Sequence, residues 1–139
     1  MTPRTRLDKV VQVRERTEDG ALSELARART TTELARRRLV RAREVARADG
    51  RAKGPVELWQ LDDLVRRKAL QGVRAAEQEL KQATAGEAAA RDDYAQARKA
   101  REVVGRVQER RRAEILTDLE KKDQRSTDEV ATRAFNSAR

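Results

Sequence analysis

The chain has 139 residues, a net charge of +9, 41% charged and 2% aromatic residues, and a hydrophobic share of 37% that is mostly Ala, Val and Leu. Such a composition cannot fill a thick core to native density, yet it is too apolar for a disordered tail, and it suits long helices or a coiled coil. With no His and no Cys, imidazole and thiolate metal sites, thiol nucleophiles, disulfides and Ser-His-Asp chemistry are excluded.

At the front, Thr2 and Pro3 suit a helix cap and a first helical residue, which predicts a first helix over about residues 4–49. "MTPRTRLDKV" is too short and polar for a secretory signal, and no apolar run reaches the ~20 residues of a membrane span. A soluble cytoplasmic protein is therefore expected. Alternating steps of four and three from Leu7 give Leu7, Val11, Arg14, Glu18, Ala21, Leu25, Ala28, Thr32, Ala35, Leu39, Ala42 and Ala46. This is a coiled-coil seam. The densest basic run is "RRRLVRAREVAR", Arg36–Arg47. Elsewhere the charges interleave: residues 1–50 carry +5, residues 51–102 carry +2 and residues 103–139 carry +2. A solvated helix face accounts for that pattern better than a nucleic-acid patch.

The one break is "ADGRAKGPVE", residues 48–57. Gly50 is placed to end the first helix, and Pro55 with Glu57 suits the first turn of the next. The turn is expected over about residues 50–54 and the second helix over about 55–135. Its ladder runs Ala69, Val73, Ala76, Leu80, Ala83, Glu87, Ala90, Tyr94, Ala97, Arg101, Val104, Gln108, Arg111 and Ile115. Small seam residues let two helices approach closely. The predicted fold is all-α: one elongated domain over residues 1–139, an antiparallel coiled-coil hairpin whose second helix extends beyond the first. At 1.5 Å per residue the two helices would span roughly 70 and 120 Å.

Folding back at residue 53 would set residue i opposite residue 106 − i and leave some 30 residues of the second helix unpaired beyond residue 103. In that register Trp59 lies level with Val45–Arg47, either plugging the hairpin tip or meeting a partner. Gly20 and Gly86 fall at one level, where they either permit close packing or soften the helices.

Catalysis is the least supported class. Asp62-Asp63 and Asp92-Asp93 are adjacent pairs that do not converge on one helix face. There is no Gly-rich phosphate loop or metal-ligand spacing, and two helices offer no pocket that excludes water. Neither an enzyme nor a cofactor is expected. Nucleic-acid binding through Arg36–Arg47 lacks aromatics for base stacking and a docking motif. A coiled-coil interaction protein remains.

The C-terminal "DQRSTDEVATRAF" carries Asp123, Gln124, Asp128, Glu129, Ala131, Arg133, Ala134 and Phe135. Together with Trp59 soon after the turn, the opening at residues 7–29 and the two-helix outline, it resembles the FliJ-type stalk proteins of bacterial flagellar export over nearly the whole chain. The resemblance implies a non-enzymatic component of the type III export apparatus, peripheral to the inner membrane at the flagellar base and not inserted into it. In that family the hairpin resembles the rotor stalk of the rotary ATPase. Its joined chain ends enter a hexameric export ATPase, and the second helix beyond the turn contacts the cytoplasmic domain of the export gate. Some members also bind export chaperones. Stalk proteins of virulence-type injectisomes share the plan.

Carried onto this chain, the ATPase-binding end comprises Arg4, Arg6, Lys9 and Arg14 with Arg110, Arg111, Arg112, Lys121, Lys122, Asp123, Gln124, Asp128, Arg133 and Phe135. Phe135 is either an anchor in the partner or a local staple against Ala131. The gate-facing stripe comprises Trp59, Asp62, Val65, Ala69, Gly72 and Ala76, where small residues replace the bulkier ones the family would suggest.

Overall fold

The computed structural model describes residues 3–48 and 54–138. Thr2 and Gly50, expected above as a cap and a terminator, lie outside the described residues. Two helices account for the described fold, α1 (Leu7–Arg47) and α2 (Val56–Ser137), and they pack against each other with no strand among the described residues.

Helix α1 starts three residues later than expected, because the capping chemistry sits at Thr5. The Thr5 amide donates to Asp8 Oδ2 at 3.1 Å and the Thr5 hydroxyl donates to Asp8 Oδ1 at 2.7 Å. The Asp8 amide in turn donates to the Thr5 carbonyl at 3.1 Å. A hydroxyl residue followed three positions later by an acid ties up donors that the first turn would otherwise leave unsatisfied. At the start of α2, Pro55 precedes the first helical residue, Glu57 lies in the first turn, and the Leu58 amide donates to the Pro55 carbonyl at 3.0 Å. Both charge and missing amide suit a helix N-terminus.

The chain divides into two compact units: Asp19–Gln96, and Met1–Glu18 with Ala97–Arg139. In the first, α1 and α2 run antiparallel around a thin seam. Leu25, Ala35, Leu39 and Ala76 are its buried apolar residues and Thr32 its buried polar one. The Thr32 hydroxyl lies 3.0 Å from the Ala28 carbonyl of its own helix and 3.2 Å from the Ala83 carbonyl of α2. Small residues at Ala28 and Ala83 bring the backbones close enough for that bridge. Cross-helix ion pairs flank the seam, with Arg29, Arg38 and Arg43 of α1 facing Glu87, Glu79 and Glu77 of α2.

In the second unit the pairing is again antiparallel, but the charges are reversed. Asp8, Glu15 and Glu18 of α1 face Arg112 and Arg101 of α2. The only residue buried among the described ones here is Gln108, whose Nε2 donates to Asp8 Oδ1 at 2.6 Å.

The seam ladders predict burial well. Every α1 rung except Arg14 is buried or half-buried, as is every α2 rung except Arg101 and Arg111, beside which Ala100 and Arg112 occupy the seam.

The register differs from the expectation. Asp8 meets Gln108, Thr32 meets Ala83 and Arg38 meets Glu79, so paired numbers add to about ten more than 106 in both units. A chain reaches up to roughly 3.5 Å per residue, so the eight residues between Arg47 and Val56 can absorb an offset of several turns. The midpoint of the connection therefore does not set the register.

Two expectations change with it. Trp59 stands beyond the pairing level of α1 and is 57% exposed, so it does not plug the hairpin tip. Gly20 and Gly86 are not level, and a Cβ at either would meet nothing within 4 Å, so close packing does not require them.

Candidate functional site

Two stretches of α2 run past α1, and half of the candidate residues fall on them. At the C-terminal end the seam stops at Ile115, and every described residue from Leu116 to Ala138 is exposed. The unpaired end thus begins about a dozen residues later than the 106 − i register implied. Lys121, Lys122, Asp123, Gln124, Asp128, Arg133 and Phe135 all lie on it, with Phe135 at 65% exposure. Asp128 and Arg133 line a shallow groove with Arg125, Glu129 and Thr132.

At the root of this end, Arg4, Arg6, Lys9, Arg14, Arg110 and Arg111 are exposed. They belong to the same compact unit as the α2 end. Arg112 is different. Its guanidinium donates to Asp8 Oδ1 at 3.2 Å, and its Nε is buried without a hydrogen-bond partner. Asp8 also receives both Thr5 donors and the Gln108 amide. These hydrogen bonds, led by the Thr5 hydroxyl, hold the Asp8 carboxyl down at about 2, against an ordinary value of 3.8. Arg112 is therefore bound within the hairpin rather than displayed.

Of the clasp of Thr5, Asp8, Gln108 and Arg112, only Arg112 was among the candidate residues. Its signals were present, however: "TRLD" is a capping sequence, and Gln108 is a polar rung on an apolar ladder.

At the other end of α2, residues 54–68 are exposed apart from half-buried Asp62. Among the gate-facing candidates, Trp59 and Val65 (63%) are exposed here, with Leu58, Leu61 and Leu64 beside them. Gly72 is also exposed, but Ala69 is half-buried on the hairpin seam and Ala76 is 7% exposed within it. A partner docking on the closed hairpin reaches the first part of the stripe and not Ala76. In the basic run, Arg37, Arg38 and Arg43, three of its six arginines, are paired with Glu33, Glu79 and Glu77. No helix of the described chain is long and apolar enough to cross a membrane.

Each unit pairs α1 with α2 as antiparallel helices, and α2 is the longer of the two. The chain belongs to the flagellar FliJ protein family: the family model described as "Flagellar FliJ protein" matches residues 3–139. That membership implies a component of the flagellar type III export apparatus. No curated protein and no solved structure matches the chain.

Proposed function

We propose that this chain is a non-enzymatic stalk of the flagellar export apparatus. The end carrying both chain termini enters the opening of the hexameric export ATPase, and the first turns of α2 contact the cytoplasmic domain of the export-gate membrane protein. Export chaperones are a third class of partner. The protein works in the cytoplasm, peripheral to the inner membrane at the flagellar base.

The observation that carries the reading is the exposed, mixed-charge helix from Leu116 to Ala138, rooted beside the N-terminal segment. Exposed ion pairs contribute only about 0–1 kcal/mol each, so such a helix can exchange partners as a ring cycles without being trapped. Charge complementarity steers its entry more than it tightens its grip.

The test is binding to a purified flagellar export ATPase, read as raised oligomerisation or turnover. Removing residues 122–139 should abolish the effect while circular dichroism shows the rest of the chain still helical. An unchanged effect of the truncated chain would overturn the placement of this end. Phe135→Ala should weaken engagement without loss of helix if Phe135 anchors in the ring.

A further inference from the structure

Folding gathers charge that the sequence spreads out. Residues 36–47 carry six basic side chains and one acidic, and residues 66–81 carry five basic and two acidic. The Arg38–Glu79 and Arg43–Glu77 pairs lay these two runs side by side within the unit Asp19–Gln96. Together they hold +8 of the chain's net +9. The rest of that unit, residues 19–35 and 82–96, carries three basic and six acidic side chains. One end of the unit is therefore strongly positive and the other mildly negative.

The same two pairs mark the two flanks of the hairpin, because Arg38 and Arg43 straddle Leu39 on the seam. On the Arg43 flank, steps of three, four and seven residues reach Arg36, Val40 and Arg47 of α1. From Glu77 the same steps reach Leu70, Arg74 and Lys81 of α2, and from neither residue do they reach an acid. All six side chains are exposed, Val40 at 55% and Leu70 at 50%. On the other flank, the same steps from Arg38 and Glu79 meet one basic residue, Arg41, among Ala, Gly, Val, Leu, Thr and Gln. The positive end thus presents its cations, with aliphatic side chains between them, mainly on one side.

We propose that this flank lies on an anionic membrane surface, with Arg36, Arg47, Arg74 and Lys81 on lipid phosphates and Val40 and Leu70 among the headgroups. The proposal goes beyond the stalk reading, whose partners are all proteins. Clusters of about four to eight cations on a helix surface are drawn to anionic leaflets, and aliphatic side chains between them enter the interface. The acidic rest of the unit is repelled by the same surface, which confines the contact to the basic end. Nucleic acid fits the flank less well. Residues 36–47 and 66–81 hold no aromatic side chain to stack on a base. Two helices side by side, each about 10 Å across, are too broad for a major groove of about 12 Å.

The experiment floats the full chain with vesicles of phosphatidylcholine alone or with added phosphatidylglycerol. Binding should require the anionic lipid and weaken as salt is raised. Combining Arg36→Gln, Arg47→Gln and Arg74→Gln should weaken it by about a hundredfold, near fivefold for each cation, with helix content intact by circular dichroism. Arg16→Gln, Lys99→Gln and Arg106→Gln together remove the same charge from the other unit and should leave binding within about twofold. Val40→Ser with Leu70→Ser should weaken it severalfold at unchanged charge. Equal binding to neutral vesicles, equal losses in the two triple variants, or full binding by the Val40→Ser, Leu70→Ser chain would overturn the proposal. Tighter binding to a DNA duplex than to the anionic vesicles would overturn it too, and would give the flank to a nucleic acid.

Discussion

The two compact units use the same two helices and hold together by different means. In Asp19–Gln96, Leu25, Ala35, Leu39 and Ala76 are removed from water, and the polar Thr32 is bridged between the helices. In the unit that carries the chain ends, burial shrinks to Gln108, and Asp8 becomes the hub of hydrogen bonds and an ion pair. The sign of the cross-helix pairs also reverses, with bases on α1 in the first unit and acids on α1 in the second. Apolar burial is insensitive to register at heptad intervals, because a slip of seven residues restores the same stripe. Directed polar contacts are not, so Asp8 with Gln108 in one unit and Thr32 with the Ala83 carbonyl in the other select the register, while the apolar seam contributes free energy.

The contrast breaks most severely at the apolar seam. Leu39→Ala, at a residue 6% exposed, should cost about 2–3 kcal/mol, the low end for buried Leu because a two-helix seam relaxes readily. Thermal unfolding by circular dichroism measures it, and a cost near zero would mean the seam is not the source of stability.

Asp8→Asn should act locally instead. Amide exchange should quicken over residues 7–18 and leave the Leu25–Leu39 amides protected. Uniform quickening would erase the distinction between the units.

The pH dependence sharpens the same point. Asp8 titrates near 2 when folded and near 3.8 ordinarily. Its carboxylate therefore stabilises the fold above about pH 4, and that contribution is lost as pH falls toward 2. The melting difference between the native chain and Asp8→Asn should be largest above about pH 4 and be lost as pH falls through about 2. A difference independent of pH would show that the carboxylate charge is not what closes the clasp.

Smaller effects are expected where nothing packs. Gly20→Ala and Gly86→Ala, each with open space for a Cβ, should raise stability by up to about 1 kcal/mol through helix propensity alone. A loss on either substitution would point to a contact that the hairpin does not contain.

Much of this architecture was legible beforehand. The ladders beginning at Leu7 and Ala69 named the half-buried face of each helix, because burial in a hairpin follows helical periodicity and little else. The rungs that failed are Arg14, Arg101 and Arg111, and beside the last two the seam passes to Ala100 and Arg112. The cap was placed at Thr2 and Pro3 rather than at Thr5 and Asp8, since two plausible caps lay within one turn of chain. On the candidate surfaces, charge composition marked the C-terminal end. Leu58 and Leu61 beside Trp59 went unmarked, because their exposure follows only from where α1 stops.

The sequence by itself determined that the chain forms two helices, which stripe of each is buried, and that the second helix runs past the first at its C-terminal end. Those are local properties, carried by spacing and side-chain chemistry. The tertiary structure decided the offset between the helices, and through it that Trp59 stands clear of α1 and that pairing persists to Ile115. An apolar heptad is compatible with many offsets, and only contacts made once per molecule select one. Asp8 with Gln108 and Thr32 with the Ala83 carbonyl are such contacts.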